Sequence, residues 1–406
     1  MTASFLPANT TATPAWLARR AAMVERAQAL LPALRSRIAE AEATRTVPAA
    51  TIHEFHETGL FRVLQPARWG GAELDFGIYV EIGAILGAAC ASSSWVWANL
   101  VSHHWMLAWW PEAAQREQWE ADPDVLIGSA FVFPCGRASK IDGGYRLQGR
   151  WPFSSGINHC SWLMVGGQVA QGAGEPPELR MFLVPPDGYQ VIDTWQVSGL
   201  RGTGSHDVAI AEAIVPEYRT VAVAGTRDAT SPGCAINTAP VFRVPMFAIF
   251  PYAIAGTVLG IAEGAVAQYT EALKTKTATY TGARIAELAP LQLKVAEAAA
   301  CCDAARTLLA KDCAEITEYA ERGYESDMTR RAIYRRNPAF ATSLCVRAVD
   351  LLFTAAGGGG IYDTSPIQRA WRDIHAATAH ISLVWDAAAT IYGRVALGLP
   401  VDNPTI

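Results

Sequence analysis

The sequence predicts an α+β protein in which an N-terminal helical domain, a central antiparallel β-domain and a C-terminal helical bundle follow one another. Before about residue 122 and after about residue 240, apolar residues recur at helical spacing, whereas the stretch between them contains short alternating runs separated by Gly, Pro and Asp. A chain of 406 residues also exceeds the usual size of one hydrophobic core. We therefore predict domains at 15–122, 123–225 and 240–398.

The first domain begins with an amphipathic helix over residues 16–43. Leu30, Leu34 and Ile38 share one apolar face, and Pro32 would kink or restart the helix. The apolar stretch that follows indicates one or two buried helices. The further helices of this domain are predicted at 51–59, within 76–110 and at 111–119.

The central domain consists of runs such as LIGSAFVFP, SWLMVGGQV and HDVAIAEAIVP, which are typical of strands. We predict about seven strands in an antiparallel sandwich or barrel. After a linker at 226–244 the pattern becomes helical again. Helices are predicted at about 247–275, 286–322, 328–356 and 366–396.

Composition excludes several classes of function. The net charge of −5 and the lack of a basic stripe argue against a nucleic-acid partner. The longest uncharged stretch, 82–110, contains Ser, Asn and His residues and makes a poor membrane span, and residues 1–14 look like a loose tail rather than a signal peptide. The eight cysteines lack metal or disulfide spacing, so we expect no metal site and a cytoplasmic location.

Residues 149–167 stand out within the β-domain. Two strand halves flank a Ser-Ser-Gly-Ile-Asn turn, whose small residues would let a flat cofactor approach the backbone. An ordinary hairpin with a polar bend remains the alternative for this stretch taken alone.

Three motifs in order resemble those of the acyl-CoA dehydrogenase superfamily. They are the strand segment 151–156, the loop 199–208, and the glycine-rich turn 357–360 followed by Pro366, Arg369, Arg372 and Asp373. The resemblance covers nearly all of the chain after residue 15 and implies that family's fold.

One departure from the family pattern points to a particular branch. Dehydrogenases with their base in the last segment have a glutamate two residues before the Pro-x-x-Arg signature, where this chain has Thr364, and a threonine hydroxyl cannot act as that base. The amino-acid sequence at 153–156, 200–208 and 372–380 instead resembles that of the oxygenase components of two-component flavin monooxygenases. That branch includes 4-hydroxyphenylacetate hydroxylases, secosteroid phenol hydroxylases, indole oxygenases and the dibenzothiophene monooxygenase.

The resemblance implies roles for four catalytic residues. Ser154 matches the hydroxyl beside flavin N5, and His380 matches the histidine over the flavin, with His375 as the alternative. His103 and Ser129 match the pair around the hydroxyl of a phenolic substrate. The alternatives without a catalytic role are that the serine bonds its own backbone in a turn and that the histidines pack inside the helical bundle.

The resemblance also implies a flavin-binding surface. The predicted cofactor-binding residues are Trp151, Phe153, Ser154, Ser155, Arg201, Gly202, Thr203, Gly204 and Ser205, the last five around a phosphate. One or two of Trp95, Trp97, Trp105, Trp109, Trp110 and Phe131 are expected to line a pocket, and Arg284 is near a position that contacts a neighbouring subunit's FAD.

The implied activity is hydroxylation of an aromatic compound, most simply a phenol ortho to its hydroxyl. Reduced FMN or FAD would be a co-substrate, and O2 would add at C4a of the flavin to form a hydroperoxide. Oxygenation of an indole, sulfur or nitrogen atom is the alternative, followed by an acyl-CoA dehydrogenase and by a silent flavin-binding scaffold. The implied partner is a separate NAD(P)H:flavin reductase. The implied assembly is a homotetramer, and its interfaces would be formed by apolar residues such as Leu259, Ile261, Ala265, Val295, Ala298 and Leu351.

Overall fold

The computed structural model describes residues 5, 13–172, 174–277, 282, 284–323, 327–403 and 405–406. Most of the predicted loose tail, and residues 281 and 283 next to Arg284, therefore lie outside the described residues.

The N-terminal region is helical, as predicted. Its helices are α1 (Pro14–Ala29), α2 (Leu31–Ser36), α3 (Ile38–Thr44), α4 (Ala49–Glu57), α5 (Phe76–Gly87), α6 (Ala91–Leu107) and α7 (Glu112–Trp119). Pro32 lies in the first turn of α2, so the predicted helix over 16–43 does restart there. All but one of the residues of α6 are buried, which explains why this stretch has no polar face.

The central region is one sheet of eight strands. They are β1 (Ile127–Ala130), β2 (Gly136–Ile141), β3 (Gly144–Ser154), β4 (Trp162–Val169), β5 (Glu178–Val184), β6 (Gln190–Ile192), β7 (His206–Pro216) and β8 (Thr220–Ala222). The order is β6-β7-β3-β2-β4-β5-β8, with β1 also paired to β4. Its own core includes Tyr145, Leu147, Phe182 and Val208.

The prediction of a wholly antiparallel sheet is wrong in one respect. Both β1 and β2 run parallel to β4, so the sheet is mixed. A 3-10 turn follows β1, and the chain then returns to the same sheet without forming a hairpin. The prediction failed because the alternation of apolar residues is the same in parallel and antiparallel strands.

The C-terminal region packs as a helical bundle. Its helices are α8 (Met246–Leu273), α9 (Ala289–Glu321), α10 (Met328–Ala356), α11 (Pro366–Thr378) and α12 (Trp385–Ala396). The predicted continuous helix over 366–396 is therefore wrong, because the chain turns between Thr378 and Trp385. This turn contains His380.

Close backbone approach joins the two helical regions. A Cβ on Gly260 of α8 would lie 2.1 Å from the carbonyl oxygen of Ala84 in α5, so only glycine permits this contact. Met246–Leu273 and Met328–Gly360 are long and apolar enough to cross a membrane, but the most apolar part of the first is 89% buried within the protein and that of the second 39%. Such helices also form the cores of globular proteins.

Candidate active site

A histidine and a serine form a buried pair where α6 meets β1. The Nε2 atom of His103 lies 2.6 Å from Oγ of Ser129, and Nδ1 bonds the backbone carbonyl of Ile127. A carbonyl can only accept, so we assign the ring proton to Nδ1, and Nε2 accepts the hydroxyl proton of Ser129. Burial lowers the pKa of His103 to about 4, so the ring is neutral at neutral pH.

Ser154 stands at the end of β3 with an unused hydroxyl group. The strand ladder is irregular between Trp151 and Ser154, and Phe153 has a φ of 69°, which turns the chain there. The side chain of Ser154 is fully buried, and its Oγ has no hydrogen-bond partner among the described residues. Buried polar atoms are usually paired, so the Ser154 hydroxyl still has its hydrogen-bonding capacity to offer.

The neighbouring hydroxyl groups form a chain with a single direction. The Trp95 indole donates to Ser155 (3.1 Å), which lies 2.8 Å from Ser205, which lies 2.7 Å from Thr203. The Thr203 hydroxyl in turn donates to the carbonyl of Leu200 (2.9 Å). Because the Thr203 proton is used at the Leu200 carbonyl, Ser205 must donate to Thr203, and Ser155 must in turn donate to Ser205. These three hydroxyls therefore have no proton left to donate to a ligand.

The predicted phosphate cradle must be corrected accordingly. Thr203 and Ser205 are buried and internally bonded, and the backbone N–H of Gly202 donates to Ser92 Oγ at 3.2 Å. Arg201 is exposed and its Nε donates to the carbonyl of Val197, and Gly204 lies at the end of the turn with a φ of 53°. Arg201 is thus the one side chain of the predicted cradle that reaches solvent.

The two aromatic residues of the predicted flavin strand have different environments. Trp151 is completely buried in the sheet core and its indole donates to the carbonyl of Gly166 at 2.7 Å. Its side chain therefore faces the sheet core, and only its backbone is placed for the predicted cofactor site. Phe153 is 65% exposed and stands edge-on to Trp195 at 6.4 Å, so its face is open to a flat ligand.

His380 lies in the turn between α11 and α12. Its Nδ1 accepts the backbone N–H of Ser382 at 3.2 Å, which places the ring proton on Nε2, and Nε2 makes no hydrogen bond to any described residue. The ring lies 5.9 Å from Trp95 and 6.1 Å from Phe250. Apolar surroundings, and next the charge of Arg335, lower the pKa of His380 to about 4, so the neutral ring offers an N–H donor.

Trp95 joins the separate parts of the site. It bonds Ser155, the residue after Ser154, and its ring contacts His380. The alternative His375 instead bonds Asp350 of α10 at 2.9 Å, and its ring lies 4.7 Å from that of Trp371 at a tilt of 55°. The structure therefore links Ser155, Trp95 and His380, with Ser154 next in the chain to Ser155, whereas His375 contacts Asp350 and Trp371 instead.

The remaining tryptophans of the aromatic group are core residues. Trp97, Trp105, Trp109 and Trp110 are completely buried. Phe131 is partly buried, and its ring lies 6.4 Å from Phe133 and 6.0 Å from Phe247. Trp95 and Phe131 are thus the two members of the group that are not completely buried.

The loop 199–205 is held from the C-terminal bundle. The backbone N–H of Leu200 donates to Asp373 of α11 at 2.7 Å, and a Cβ on Gly199 would lie 2.0 Å from the carbonyl oxygen of Arg372. Burial raises the pKa of Asp373 to about 6. Asp373 also lines a cavity of about 170 Å³ between α3, α8 and α11, away from Ser154. The Pro-x-x-Arg-x-x-Arg-Asp motif thus positions the loop.

Two other predicted residues are exposed. Arg284 lies 3.6 Å from Glu287, and Thr364 lies on the surface before α11. Sequence reasoning missed Arg335, which lies near His380, because a single arginine in a long helix forms no motif.

Comparison with known proteins agrees with this architecture. Family models match the chain at residues 252–385 (acyl-CoA dehydrogenase, C-terminal domain) and 21–122 (acyl-CoA dehydrogenase, N-terminal domain). The chain is 34% identical to the flavin-dependent monooxygenase, oxygenase subunit HsaA, of Rhodococcus jostii, over 94% of this chain and 100% of that protein. It is 35% identical to the FADH(2)-dependent resorcinol hydroxylase, oxygenase component, of a Rhizobium species, over 93% of this chain and 94% of that protein.

Solved structures give the same result. The crystal structure of 3-HSA hydroxylase from Rhodococcus sp. RHA1 superposes with a TM-score of 0.90 at 34% identity, covering 95% of this chain and 98% of that one. XiaF from a Streptomyces species, in complex with FADH2 and glycerol, superposes with a TM-score of 0.88 at 28% identity, covering 97% and 99%.

Proposed function

The chain belongs to the oxygenase components of flavin-dependent monooxygenases within the acyl-CoA dehydrogenase superfamily, and we propose that it hydroxylates a phenol at the carbon next to the hydroxyl group. It is an oxidoreductase with an acyl-CoA dehydrogenase-like fold, acts on aromatic compounds, and uses reduced flavin and O2 as co-substrates. Reduced flavin, when bound, would supply the two electrons that activate O2, and O2 would supply the oxygen atom that is transferred.

The residues around Ser154 fit a flavin. The orphaned Oγ of Ser154 is the one hydroxyl in the predicted set with a free proton, and Phe153 offers an open aromatic face beside it. Opposite Ser154 stands Gly128, where a Cβ would lie 2.5 Å from Ile157 and 3.3 Å from Ser154 Oγ. We assign Ser154 and Phe153 to the flavin ring, and Arg201 to its phosphate.

The observation that carries the phenol assignment is the bond between His103 and Ser129. Because Ser129 gives its proton to Nε2 of His103, its oxygen is left as an acceptor for a substrate hydroxyl. A proton can thus pass from the phenol to Ser129 and on to His103. A base with a pKa of about 4 is weak against a free phenol, whose pKa is about 10, but oxygen transfer makes the ring cationic and its hydroxyl strongly acidic.

His380 has the complementary role in this proposal. Its neutral ring presents an Nε2–H beside Trp95, and this group would donate a hydrogen bond that stabilises the negative charge developing as the oxygen atom is transferred. His380 therefore acts on the flavin side, and the Ser129–His103 pair acts on the substrate side.

The proposal also covers the oligomeric state of the protein and its cellular compartment. Within the chain, the residues expected to form interfaces are mostly buried already, among them Leu259, Ile261, Ala265 and Ala298, so that part of the prediction is wrong. Large apolar side chains are exposed elsewhere on the bundle, namely Leu293, Phe340, Ile361, Ile381, Trp385 and Leu397. We propose that these form the contacts of a homotetramer, and that the protein works in the cytoplasm with a separate NAD(P)H:flavin reductase.

Turnover with a phenol and its methyl ether tests the function. The protein is supplied with reduced FMN or FAD by a chemical or enzymatic reductant under ¹⁸O2. We expect one ¹⁸O atom in a catechol product from the phenol and no ring product from the methyl ether, which lacks the proton that Ser129 accepts. Equal hydroxylation of both compounds, or no ¹⁸O in any product, would contradict the proposal.

A further inference from the structure

Arg335 on α10 is a cation without a counterion. Its Nη1 donates to the backbone carbonyl of Phe247 at 2.9 Å, its Nε is buried without a hydrogen-bond partner, and no described carboxylate lies within ion-pair distance. Burial lowers the pKa of Arg335 to about 10, so the guanidinium is still charged at neutral pH. Arg335 is half-buried, and the buried part of a charge without an ion-pair partner is unfavourable in a folded protein.

The neighbouring arginines of the same helix are all satisfied within the chain. Arg330 pairs with Glu315, Arg347 pairs with Glu297, and Arg336 bonds Asn337 and lies 4.1 Å over the ring of Tyr392. The unpaired state is therefore specific to Arg335 and is not a general property of α10.

Arg335 lies beside the proposed pocket. Phe247, whose carbonyl it bonds, packs its ring against Phe131 at 6.0 Å, and Phe131 follows Ser129 by two residues. The guanidinium is thus bonded to the backbone of one residue of this aromatic wall.

We propose that Arg335 binds a carboxylate carried by the aromatic substrate, at a point away from the hydroxyl that Ser129 accepts. This inference rests on the proposed function. A planar guanidinium matches a carboxylate with two parallel hydrogen bonds, and Nε of Arg335 still has its proton to give. The negatively charged ring of reduced flavin is the competing source of an anion. Arg335 bonds Phe247, which packs against Phe131, rather than the strand that carries Ser154. We therefore favour the substrate over the flavin as the source of the anion.

Binding of a matched pair of phenols tests the assignment. The probes are 3-(4-hydroxyphenyl)propanoate and its uncharged amide, titrated calorimetrically into the protein under anaerobic conditions with reduced FMN present. We expect the wild-type protein to bind the acid roughly 10- to 100-fold more tightly than the amide, as for a charge-assisted bond. Arg335→Gln should remove this preference, whereas Arg335→Lys should retain part of it.

The neighbouring Arg336→Gln serves as the matched control and should keep the wild-type preference. A second readout is the pKa of His380, which should rise in Arg335→Gln because a nearby positive charge is removed. Equal binding of both probes by the wild-type protein, or a preference that survives in Arg335→Gln, would overturn the proposal. So would a tenfold loss of reduced-FMN affinity in Arg335→Gln with the acid preference unchanged, since Arg335 would then belong to the flavin. Because binding requires no turnover, a failure to hydroxylate phenols would count against the proposed function alone.

Discussion

His103 and His380 share a depressed pKa of about 4 but have opposite hydrogen-bonding polarity. His103 carries its proton on Nδ1 toward Ile127 and accepts at Nε2, whereas His380 accepts at Nδ1 and carries its proton on Nε2. Burial alone therefore does not decide what a histidine does. The backbone group that each Nδ1 meets sets the tautomer, and the tautomer makes one ring a proton acceptor and the other a donor.

The largest expected effect is on the yield of product per flavin oxidised, and it comes from removing the imidazole of His380. His380→Ala should still let bound reduced flavin react with O2 but should lower product formed per flavin oxidised on the order of 100-fold, as when a positioned donor is lost elsewhere. Hydrogen peroxide should account for the difference. Quantifying product, peroxide and oxidised flavin in single turnovers measures this. His375→Ala is the control, because His375 bonds Asp350 away from the site, and wild-type coupling in His380→Ala would remove His380 from the reaction.

Removing the Ser129 hydroxyl should have a smaller effect on the rate of oxygen transfer, and the effect should depend on the substrate. Ser129→Ala should slow oxygen transfer to a phenol by roughly tenfold, about the value of one hydrogen bond, while the reaction of flavin with O2 is unchanged. A thioether has no proton to give up and should be oxygenated at the wild-type rate if it enters the pocket. Stopped-flow comparison of the two substrates tests this, and an equal slowing of both would argue that Ser129 only shapes the pocket.

The smallest effect concerns stability against pH. The unfolded chain takes up protons at histidine near pH 6.5, but buried His103 and His104 resist protonation until about pH 4 and 3. Their contribution is therefore full above pH 6.5 and is lost as the pH falls toward 4. Between pH 6 and 5 the free energy of unfolding should drop by roughly 1 kcal/mol for each of the two. Urea titration of the wild-type protein and of His103→Gln measures the drop, and identical pH dependence of the two proteins would show that His103 is not buried as a neutral ring.

Much of the fold could be predicted because periodicity follows burial directly. Helical spacing located the helices, and alternation located the strands. The direction of β1 and β2 could not be predicted, since alternation is the same in parallel and antiparallel strands. The turn at residues 379–384 was missed because these residues include no glycine or proline to interrupt the apolar pattern.

The site was predictable only in part. The resemblance to the flavin monooxygenase oxygenase components pointed to His103, Ser129, Ser154 and His380; the structure pairs His103 with Ser129, leaves the Ser154 hydroxyl unpaired and places His380 against Trp95. The direction of the hydroxyl chain from Trp95 to Leu200 depends on which groups meet in space, so no sequence pattern revealed that Thr203 and Ser205 have no proton to donate. Arg335 was missed for the same reason, because its lack of a counterion is a property of its surroundings.

The opposite polarity of the two histidines can be measured directly. Nitrogen-15 NMR of histidine-labelled protein, with signals assigned through His103→Gln and His380→Gln, reports both the charge and the tautomer of each ring. At pH 7 we predict two neutral rings, with the proton on Nδ1 in His103 and on Nε2 in His380. The same tautomer in both, or an imidazolium at either position, would contradict the division into proton acceptor and proton donor.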